Sequence, residues 1–192
     1  MKRARLIPLL AFVAGGIGGT LIDQIHARTH VLRYAHPDLF GQPLWVAPQF
    51  GLAVVVILLA TVWFTDRVGR TSRDAVPMVA DAAAFVVAYT VTGIFHRHPW
   101  LVLIALCVIW AGMILVHRDR VTLVAISMAL AVGGPVYESL LTWTGAFNYT
   151  VTPLVLRVPI WLPALYLTAG SLAASTARAI SFGGSGASNR ER

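Results

Sequence analysis

Six apolar stretches, each long enough to cross a lipid bilayer as a helix, alternate with short polar connections along the chain. Each stretch has about 17–25 residues, the length that a helix needs to cross a hydrocarbon layer of roughly 30 Å. Backbone polar groups in lipid must be paired within the segment, so these stretches predict helices. We therefore expect an all-α fold, a bundle of six transmembrane helices. The predicted spans are Leu6–Ile25, Leu44–Thr65, Val76–Phe95, Trp100–Val116, Val121–Leu141 and Pro159–Ile180.

The basic residues divide unequally between the two sides that these spans create when they cross the membrane alternately. One side carries only Arg28, Arg33, Arg97 and Arg157. The side with both termini carries the other eleven of the 15 Lys and Arg residues: Lys2, Arg3, Arg5, Arg67, Arg70, Arg73, Arg118, Arg120, Arg178, Arg190 and Arg192. Because Lys and Arg near the spans stay in the cytoplasm during insertion, this asymmetry predicts that both termini are cytoplasmic.

The composition limits which binding partners and which cellular membrane we expect for this chain. The chain is 57% hydrophobic and 12% charged, about half the charged fraction of a soluble domain. The positive-inside bias explains the net charge of +7, and no basic run with interleaved aromatics is present, so we expect no nucleic-acid partner. Cys107 is the single cysteine, which predicts neither a disulfide nor a cysteine-rich metal site. All but one of the basic residues are arginine, as in GC-rich genomes, so we expect a bacterial plasma membrane, or the endoplasmic reticulum in a eukaryote.

The chain is predicted to form one transmembrane domain over residues 1–181. Residues 182–192 are rich in Gly and Ser and are predicted to be a disordered tail. Two longer connections, His26–Pro43 and Thr142–Val158, are predicted to be loops on the outer side. Gly15 and Gly19 form a G-x-x-x-G face, which fits helix packing within the chain better than a contact between copies. A homo-oligomer remains the alternative.

The fifth span contains Gly133-Gly134-Pro135, a sequence that should break or kink a helix. Proline removes a backbone hydrogen bond, and neighbouring glycines permit a bend. A broken helix is tolerated at membrane depth only where protein or a cavity surrounds it. The motif therefore indicates a pocket near this point.

Ionisable and amide side chains inside the spans are candidates for lining that pocket, because unpaired polar groups are costly in hydrocarbon. Asp81 could instead pair with Arg70 or Arg73 near the headgroups. Gln49, at the start of the second span, could bind a lipid hydroxyl or ester, or it could cap its helix.

Glu138 follows the Gly-Gly-Pro motif and could face the pocket, or it could be satisfied by Tyr137, Thr142 or a backbone amide. With the aromatic residues around these positions, the predicted ligand-binding residues are Gln49, Asp81, Glu138, Trp45, Tyr137 and Trp143.

Asp23, His26 and His30 follow one another at intervals of three and four residues, so they would share a face if the first helix continued past Ile25. Aspartate and histidine side chains are common zinc ligands, and a site with three of them leaves one coordination position for water. His-x-x-x-His without a following Glu is a weak motif, however. A metal-dependent hydrolase is therefore the alternative function, and no other cofactor motif is present.

Three segments resemble the Insig family. Residues 45–51, Trp-Val-Ala-Pro-Gln-Phe-Gly, are similar to its W-V-P-P-x-x-G stretch. Residues 141–150, Leu-Thr-Trp-Thr-Gly-Ala-Phe-Asn-Tyr-Thr, are similar to its V-Y-N-G-V-Y-Q-Y-T segment, and residues 157–163 match its R-S-W-L-P. Gly170 and Arg178 continue the match, and Arg118-Asp119-Arg120 stands where the family has D-R-S-R. The similarity covers five of the six spans.

This resemblance implies a six-helix membrane protein without enzymatic activity. The animal members bind oxygenated sterols in the membrane and retain Scap and HMG-CoA reductase. The Asp of D-R-S-R aligns with His117 here, so a Scap-like partner is not expected. The function predicted is non-catalytic lipid binding or sensing, with a sterol-like or two-tailed neutral lipid of the diacylglycerol type in an intramembrane cavity. A proton-coupled transporter that uses Asp81 and Glu138 as relay carboxyls is a third interpretation.

Overall fold

The structure, a computed structural model, describes residues 2–68 and 78–185, and within them it confirms the predicted bundle of six helices. The helices are α1 (Lys2–Arg28), α2 (Val46–Val68), α3 (Met78–Ile94), α4 (Pro99–Val116), α5 (Arg120–Trp143) and α6 (Leu162–Ser185). The strands are β1 (Leu32–Tyr34), β2 (Phe147–Tyr149), β3 (Leu154–Val155) and β4 (Val158–Pro159).

The helices differ in how clearly they are built to cross a membrane. Four of them are long and apolar enough to cross a membrane, namely α1, α2, α4 and α5. The third helix, α3, is a shorter apolar helix of 17 residues. The sixth helix lies against α2, α3, α4 and α5, so much of its surface faces protein rather than lipid. That position explains why it tolerates the buried hydroxyls of Thr168, Ser171 and Ser175.

Glycines set the closest contacts between helices. A Cβ on Gly15 would lie 2.6 Å from the Cβ of Val54, and one on Gly19 would meet the ring of Phe50, both on α2. A Cβ on Gly170 of α6 would meet the backbone of Ser127 on α5. The small-residue faces therefore serve packing within the chain.

The helix is not broken at Gly133-Gly134-Pro135, because α5 is one continuous helix through these residues, and the alternative of a kink stays a prediction. Pro135 removes a single backbone hydrogen bond, and it is buried among neighbouring side chains. Gly134 contributes to helix packing, because a Cβ at this position would clash with the ring of Tyr166. The glycine thus permits α6 to approach α5 closely.

The two long connections are partly strand, where we expected loops. β1 pairs with β2 in antiparallel register, with Leu32 opposite Tyr149 and Tyr34 opposite Phe147. β3 pairs with β4. Along β2 the residues alternate inward and outward, so Phe147 and Tyr149 are buried in the hydrophobic core while Asn148 is exposed. This alternation is the pattern of a strand with one buried face.

The bundle therefore has two distinct ends. The strand end carries β1–β4, the last turns of α1, α3 and α5 and the first turns of α2, α4 and α6. The termini end carries the opposite ends of these helices. The sixth helix reaches Ser185 and so includes residues 182–185, which we assigned to the tail. Residues 186–192 lie outside the described residues, as do Arg70 and Arg73.

Candidate functional site

A carboxyl group inside α1 is held by three side chains. Asp23 is 3% exposed, and its Oδ2 accepts hydrogen bonds from the hydroxyl of Tyr34 and the amide of Gln42, each at 2.6 Å. The hydroxyl of Tyr89, on α3, donates to Oδ1 at 3.3 Å. A buried carboxyl group is costly without such donors. Asp23 therefore ties α1 to α3 and to the β1–α2 connection.

A second carboxyl group joins α5 to α6 and to the strands. Glu138 accepts a hydrogen bond from the hydroxyl of Tyr166 at 2.7 Å and another from the hydroxyl of Tyr149, on β2. The partners proposed from the sequence, Tyr137 and Thr142, are not the ones that hold it. Its tyrosine partners come from β2 and α6, which follow α5 in the chain.

His26 lies between these groups and contacts two aromatic rings. Its Nε2 is 2.6 Å from the hydroxyl of Thr92, which itself donates to the carbonyl of Tyr89 at 2.6 Å. A hydroxyl has one proton to donate, so Nε2–H of His26 is the donor to Thr92. The imidazole stacks on Tyr89 with centroids 4.2 Å apart, and Trp161 lies edge-on at 5.8 Å.

Trp161 is the largest fully buried side chain, and its indole N–H has no hydrogen-bond partner within residues 2–68 and 78–185. We call the group at this end the strand-end cluster. Its members are Asp23, His26, Tyr34, Tyr89, Glu138, Tyr149, Trp161 and Tyr166.

The two tyrosines that the strands contribute act as hydrogen-bond donors. Burial, and then the charge of Asp23, raise the pKa of Tyr34 far above its ordinary value. Burial, and then Glu138, raise the pKa of Tyr149 in the same direction. Both hydroxyls therefore remain protonated and keep donating to the carboxyl groups.

Three of the predicted ligand-binding residues lie in the strand-end cluster or next to it. Glu138 belongs to the cluster, and Trp45 contacts it, since its ring is 5.8 Å from that of Tyr34 in an edge-on arrangement. Gln49 lies one turn further along α2 and is half-buried.

The other three lie outside the cluster. Asp81 is buried in the first turn of α3, at the termini end, where its carboxyl group binds Nε2 of His117 at 3.0 Å. Tyr137 and Trp143 are exposed on α5, by 43% and 64%. The structure therefore does not bring Asp81 together with Glu138, and the pair does not form the relay that the transporter interpretation requires.

Nor does the structure assemble the alternative metal site. Asp23 and His26 are bound to the partners above, and His30 is exposed, with its carbonyl accepting a hydrogen bond from the hydroxyl of Thr150. Across the part of the chain that the structure describes, no three His, Cys, Asp or Glu side chains are grouped to hold a metal ion.

A second set of polar contacts stabilises the termini end. Asp119 is the N-cap of α5, where its Oδ1 accepts a hydrogen bond from the amide of Thr122, and its Oδ2 lies 3.1 Å from the guanidinium of Arg178. With the Asp81–His117 pair, the short α4–α5 connection thus binds both α3 and α6. These contacts give the carboxyl groups of Asp81 and Asp119 polar partners, and they lie at the opposite end of the bundle from the cluster.

Sequence reasoning missed the tyrosines and Gln42. Asp23 and His26 had a signal of their own, as ionisable side chains near the end of an apolar span, but the sequence connected them with the metal alternative. Tyr89 and Tyr166 lie inside spans, where aromatic residues are ordinary, so their role depends on the carboxyl groups that reach them.

Comparisons with known proteins show which solved structures share this fold. No family model matches the chain, and no curated protein matches it significantly. Two solved structures match: the mycobacterial Insig homologue MvINS from Mycobacterium vanbaalenii, and a cross-linked trimer of an MvINS variant. Each has a TM-score of 0.77 and 24% sequence identity, over 89% of this chain and 92% of the other. The chain is thus a polytopic membrane protein with an Insig-like fold, as the sequence resemblance predicted.

Proposed function

We propose that this Insig-like membrane protein binds a neutral lipid, sterol-like or two-tailed and of the diacylglycerol type, at the strand-end cluster and performs no catalysis. The observation that carries the proposal is the indole N–H of Trp161, which is 0% exposed and unpartnered among the described residues. A buried donor without a partner costs about 1–3 kcal/mol. A lipid hydroxyl or ester oxygen would accept its hydrogen bond.

The hydrogen-bonding groups of the cluster select the headgroup. The side chains around Asp23 and Glu138 are tyrosine hydroxyls and an amide, so the cluster offers an anionic headgroup no cationic partner. Each carboxyl oxygen also has lone pairs to spare beyond its tyrosine donors. A headgroup with a hydroxyl that donates to a carboxyl group and an oxygen that accepts from Trp161 fits both requirements. Diacylglycerols and hydroxylated sterols have this chemistry.

The other predicted residues have different proposed contacts with the lipid. Gln49 and Trp45 would contact the headgroup from the first turns of α2, beside Tyr34. Tyr137 and Trp143 would contact the acyl chains along the exposed face of α5. Asp81 would take no part, because it is bound to His117 at the other end.

The rest of the functional assignment follows from the same reasoning. Both termini would be cytoplasmic, and the strand end would face outward, in a bacterial plasma membrane. The partners would be the bilayer, the lipid ligand and further copies of the chain, as in the cross-linked MvINS trimer. A Scap-like partner is not proposed, because His117 is buried in its pair with Asp81.

Native mass spectrometry of the purified protein, incubated with dioleoylglycerol or with cholesterol, tests the proposal. The wild type should retain one of these lipids after annular lipid has been stripped away, and added lipid should raise its thermal midpoint. Trp161→Phe and Glu138→Gln should each weaken retention at least about fivefold, the loss expected for one buried hydrogen bond.

Cys107→Ala is the matched control, because Cys107 is exposed on α4, away from the cluster, and it should retain lipid as the wild type does. Equal retention by all four proteins, or none beyond the annular background, would contradict the proposed site.

A further inference from the structure

A two-residue turn joins β3 to β4 and is built from residues that rarely adopt its geometry. Val155 pairs with Val158, so Leu156 and Arg157 form the turn, with φ angles of 52° and 66°. Turns with positive φ at both positions usually have Asn-Gly, because side chains with a Cβ are strained there. Leu-Arg at this place therefore needs contacts that hold it.

The end of α5 supplies these contacts. The hydroxyl of Ser139 donates to the carbonyl of Leu156 at 2.7 Å. The guanidinium of Arg157 lies 4.0 Å from the ring centroid of Trp143, and one of its nitrogens lies 3.5 Å from the carbonyl of Thr142. The turn is thus fixed against the last turns of α5, with the Arg157 side chain stacked on an indole.

The fixed turn presents apolar side chains next to a cation. Leu154, Val155 and Leu156 are exposed, Leu156 by 68%, and Trp143 is exposed beside them. Within the described residues Arg157 has no carboxylate partner, so its charge and most of its N–H donors remain available. Apolar side chains around an available guanidinium match the boundary between acyl chains and phosphates.

The position of the turn in the bundle supports this match. Trp143 is the last residue of α5, a helix long enough to cross a membrane, so the turn lies where the hydrocarbon layer ends. A similar stack occurs at the other end, where the guanidinium of Arg67 lies 4.3 Å from the ring of Trp63 near the end of α2. Tryptophan is enriched at both membrane interfaces, and a long arginine side chain near a helix end extends its charge to the headgroups.

We infer that the Leu156-Arg157 turn is a second lipid site, which binds the phosphate of an anionic phospholipid through Arg157 while Leu156 and its neighbours enter the acyl region. Arginine recognises phosphate through paired N–H donors, and stacking on Trp143 orients the guanidinium in advance. This site lies outside the strand-end cluster, and phosphate binding by Arg157 does not require a neutral lipid at the cluster, although the proposed contact of that lipid's acyl chains would share Trp143 with it.

Tryptophan quenching in nanodiscs tests the inference. The probe is phosphatidylglycerol brominated on its acyl chains, as a minor component in phosphatidylcholine, compared with the same amount of brominated phosphatidylcholine. The signal of Trp143 is the difference between each protein and the same protein with Trp143→Phe. In the wild type, phosphatidylglycerol should quench Trp143 more than phosphatidylcholine does, so that the ratio exceeds one.

Two variants test whether lipid selection depends on the guanidinium of Arg157 or on the conformation of the turn. Leu156→Asn with Arg157→Gly gives the sequence that favours this turn, so it should fold with an unchanged or higher thermal midpoint while its quenching ratio falls to one. Leu156→Asn alone relaxes the turn but keeps the guanidinium, and its ratio should stay above one. Arg67→Gln, at the opposite end, should leave the Trp143 ratio unchanged.

A wild-type ratio of one would overturn the inference. So would a ratio that survives in the Asn-Gly variant, because the guanidinium would then have no part in lipid selection. A ratio that falls to one in Arg67→Gln would also contradict it, since only the total charge of the protein would then matter.

Discussion

At the residue scale, the molecule is organised around acids that the membrane would otherwise penalise. Asp23 and Glu138 each accept hydrogen bonds from tyrosine hydroxyls, and Asp81 binds an imidazole. Neutral donors satisfy a carboxyl group without adding a second charge that must also be desolvated. The strand end can therefore hold two acids in the protein interior without a buried cation beside them.

The hydrogen bond from Tyr34 to Asp23 can be tested by removing one hydroxyl. Tyr34→Phe keeps the ring that contacts Trp45 but leaves Asp23 with one donor fewer. We expect the free energy of unfolding to fall by about 1–3 kcal/mol, measured by thermal or denaturant unfolding in detergent. Tyr137→Phe, which removes an exposed hydroxyl from α5, should change it by less than about 0.5 kcal/mol. Equal effects from both variants would show that Asp23 does not rely on Tyr34.

At the element scale, small residues and short strands decide how the helices meet. Gly134 allows the ring of Tyr166 to lie against α5, and Tyr166 then reaches Glu138 one turn further on. Gly133 is the next residue in the same helix, yet a Cβ there would meet nothing within 4 Å. The two neighbouring glycines therefore have different roles, although the sequence presents them as one motif.

This difference predicts opposite outcomes for the same substitution. Gly134→Ala should lower stability by about 1–3 kcal/mol, because the added methyl group overpacks the contact with Tyr166. Gly133→Ala should be neutral or raise stability by about 0.5–1 kcal/mol, because alanine favours a helix over glycine where space is open. Unfolding of both variants in the same detergent gives the comparison. A destabilised Gly133→Ala with an unaffected Gly134→Ala would contradict the assignment.

At the scale of the whole molecule, α6 is a central helix and the strands cover one end of the bundle. Because β1 precedes α2 and β2 follows α5, pairing between them ties together segments more than a hundred residues apart. The termini end is stabilised by two side-chain contacts of the α4–α5 connection, Asp81–His117 and Asp119–Arg178. The strand end and the termini end thus have different chemistry, which fits a protein whose two ends face different compartments.

Single-cysteine labelling in a Cys107→Ala background tests which end faces out. With both termini cytoplasmic, an impermeant maleimide should label His36→Cys from outside intact cells, because His36 is exposed at the strand end. Asp66→Cys, exposed near the end of α2, should be labelled only after the cells are opened. The reverse pattern would show that the basic residues did not set the orientation.

The sequence by itself determined the six helices, because the length of an apolar stretch and the need to pair every backbone group in lipid leave a spanning segment no other form. It also indicated the Insig-like fold through residues 45–51, 141–150 and 157–163. Of the ligand-binding residues that it predicted, Glu138, Trp45 and Gln49 lie close together at one end, and they were predicted because a polar or amphipathic side chain near a span is conspicuous in an apolar sequence.

Only the tertiary structure decided which partners these side chains have. The distance along the chain between Tyr149 and Glu138, or between Asp23 and Tyr89, carries no periodic signal, so their hydrogen bonds depend on how the helices pack. The strands were missed for the same reason: three-residue segments have little pattern of their own, and β1 exists because β2 lies beside it. The partner of Asp81, His117 at the end of α4, could not be predicted because the apolar pattern gives a residue's depth in a span but not the helix that faces it.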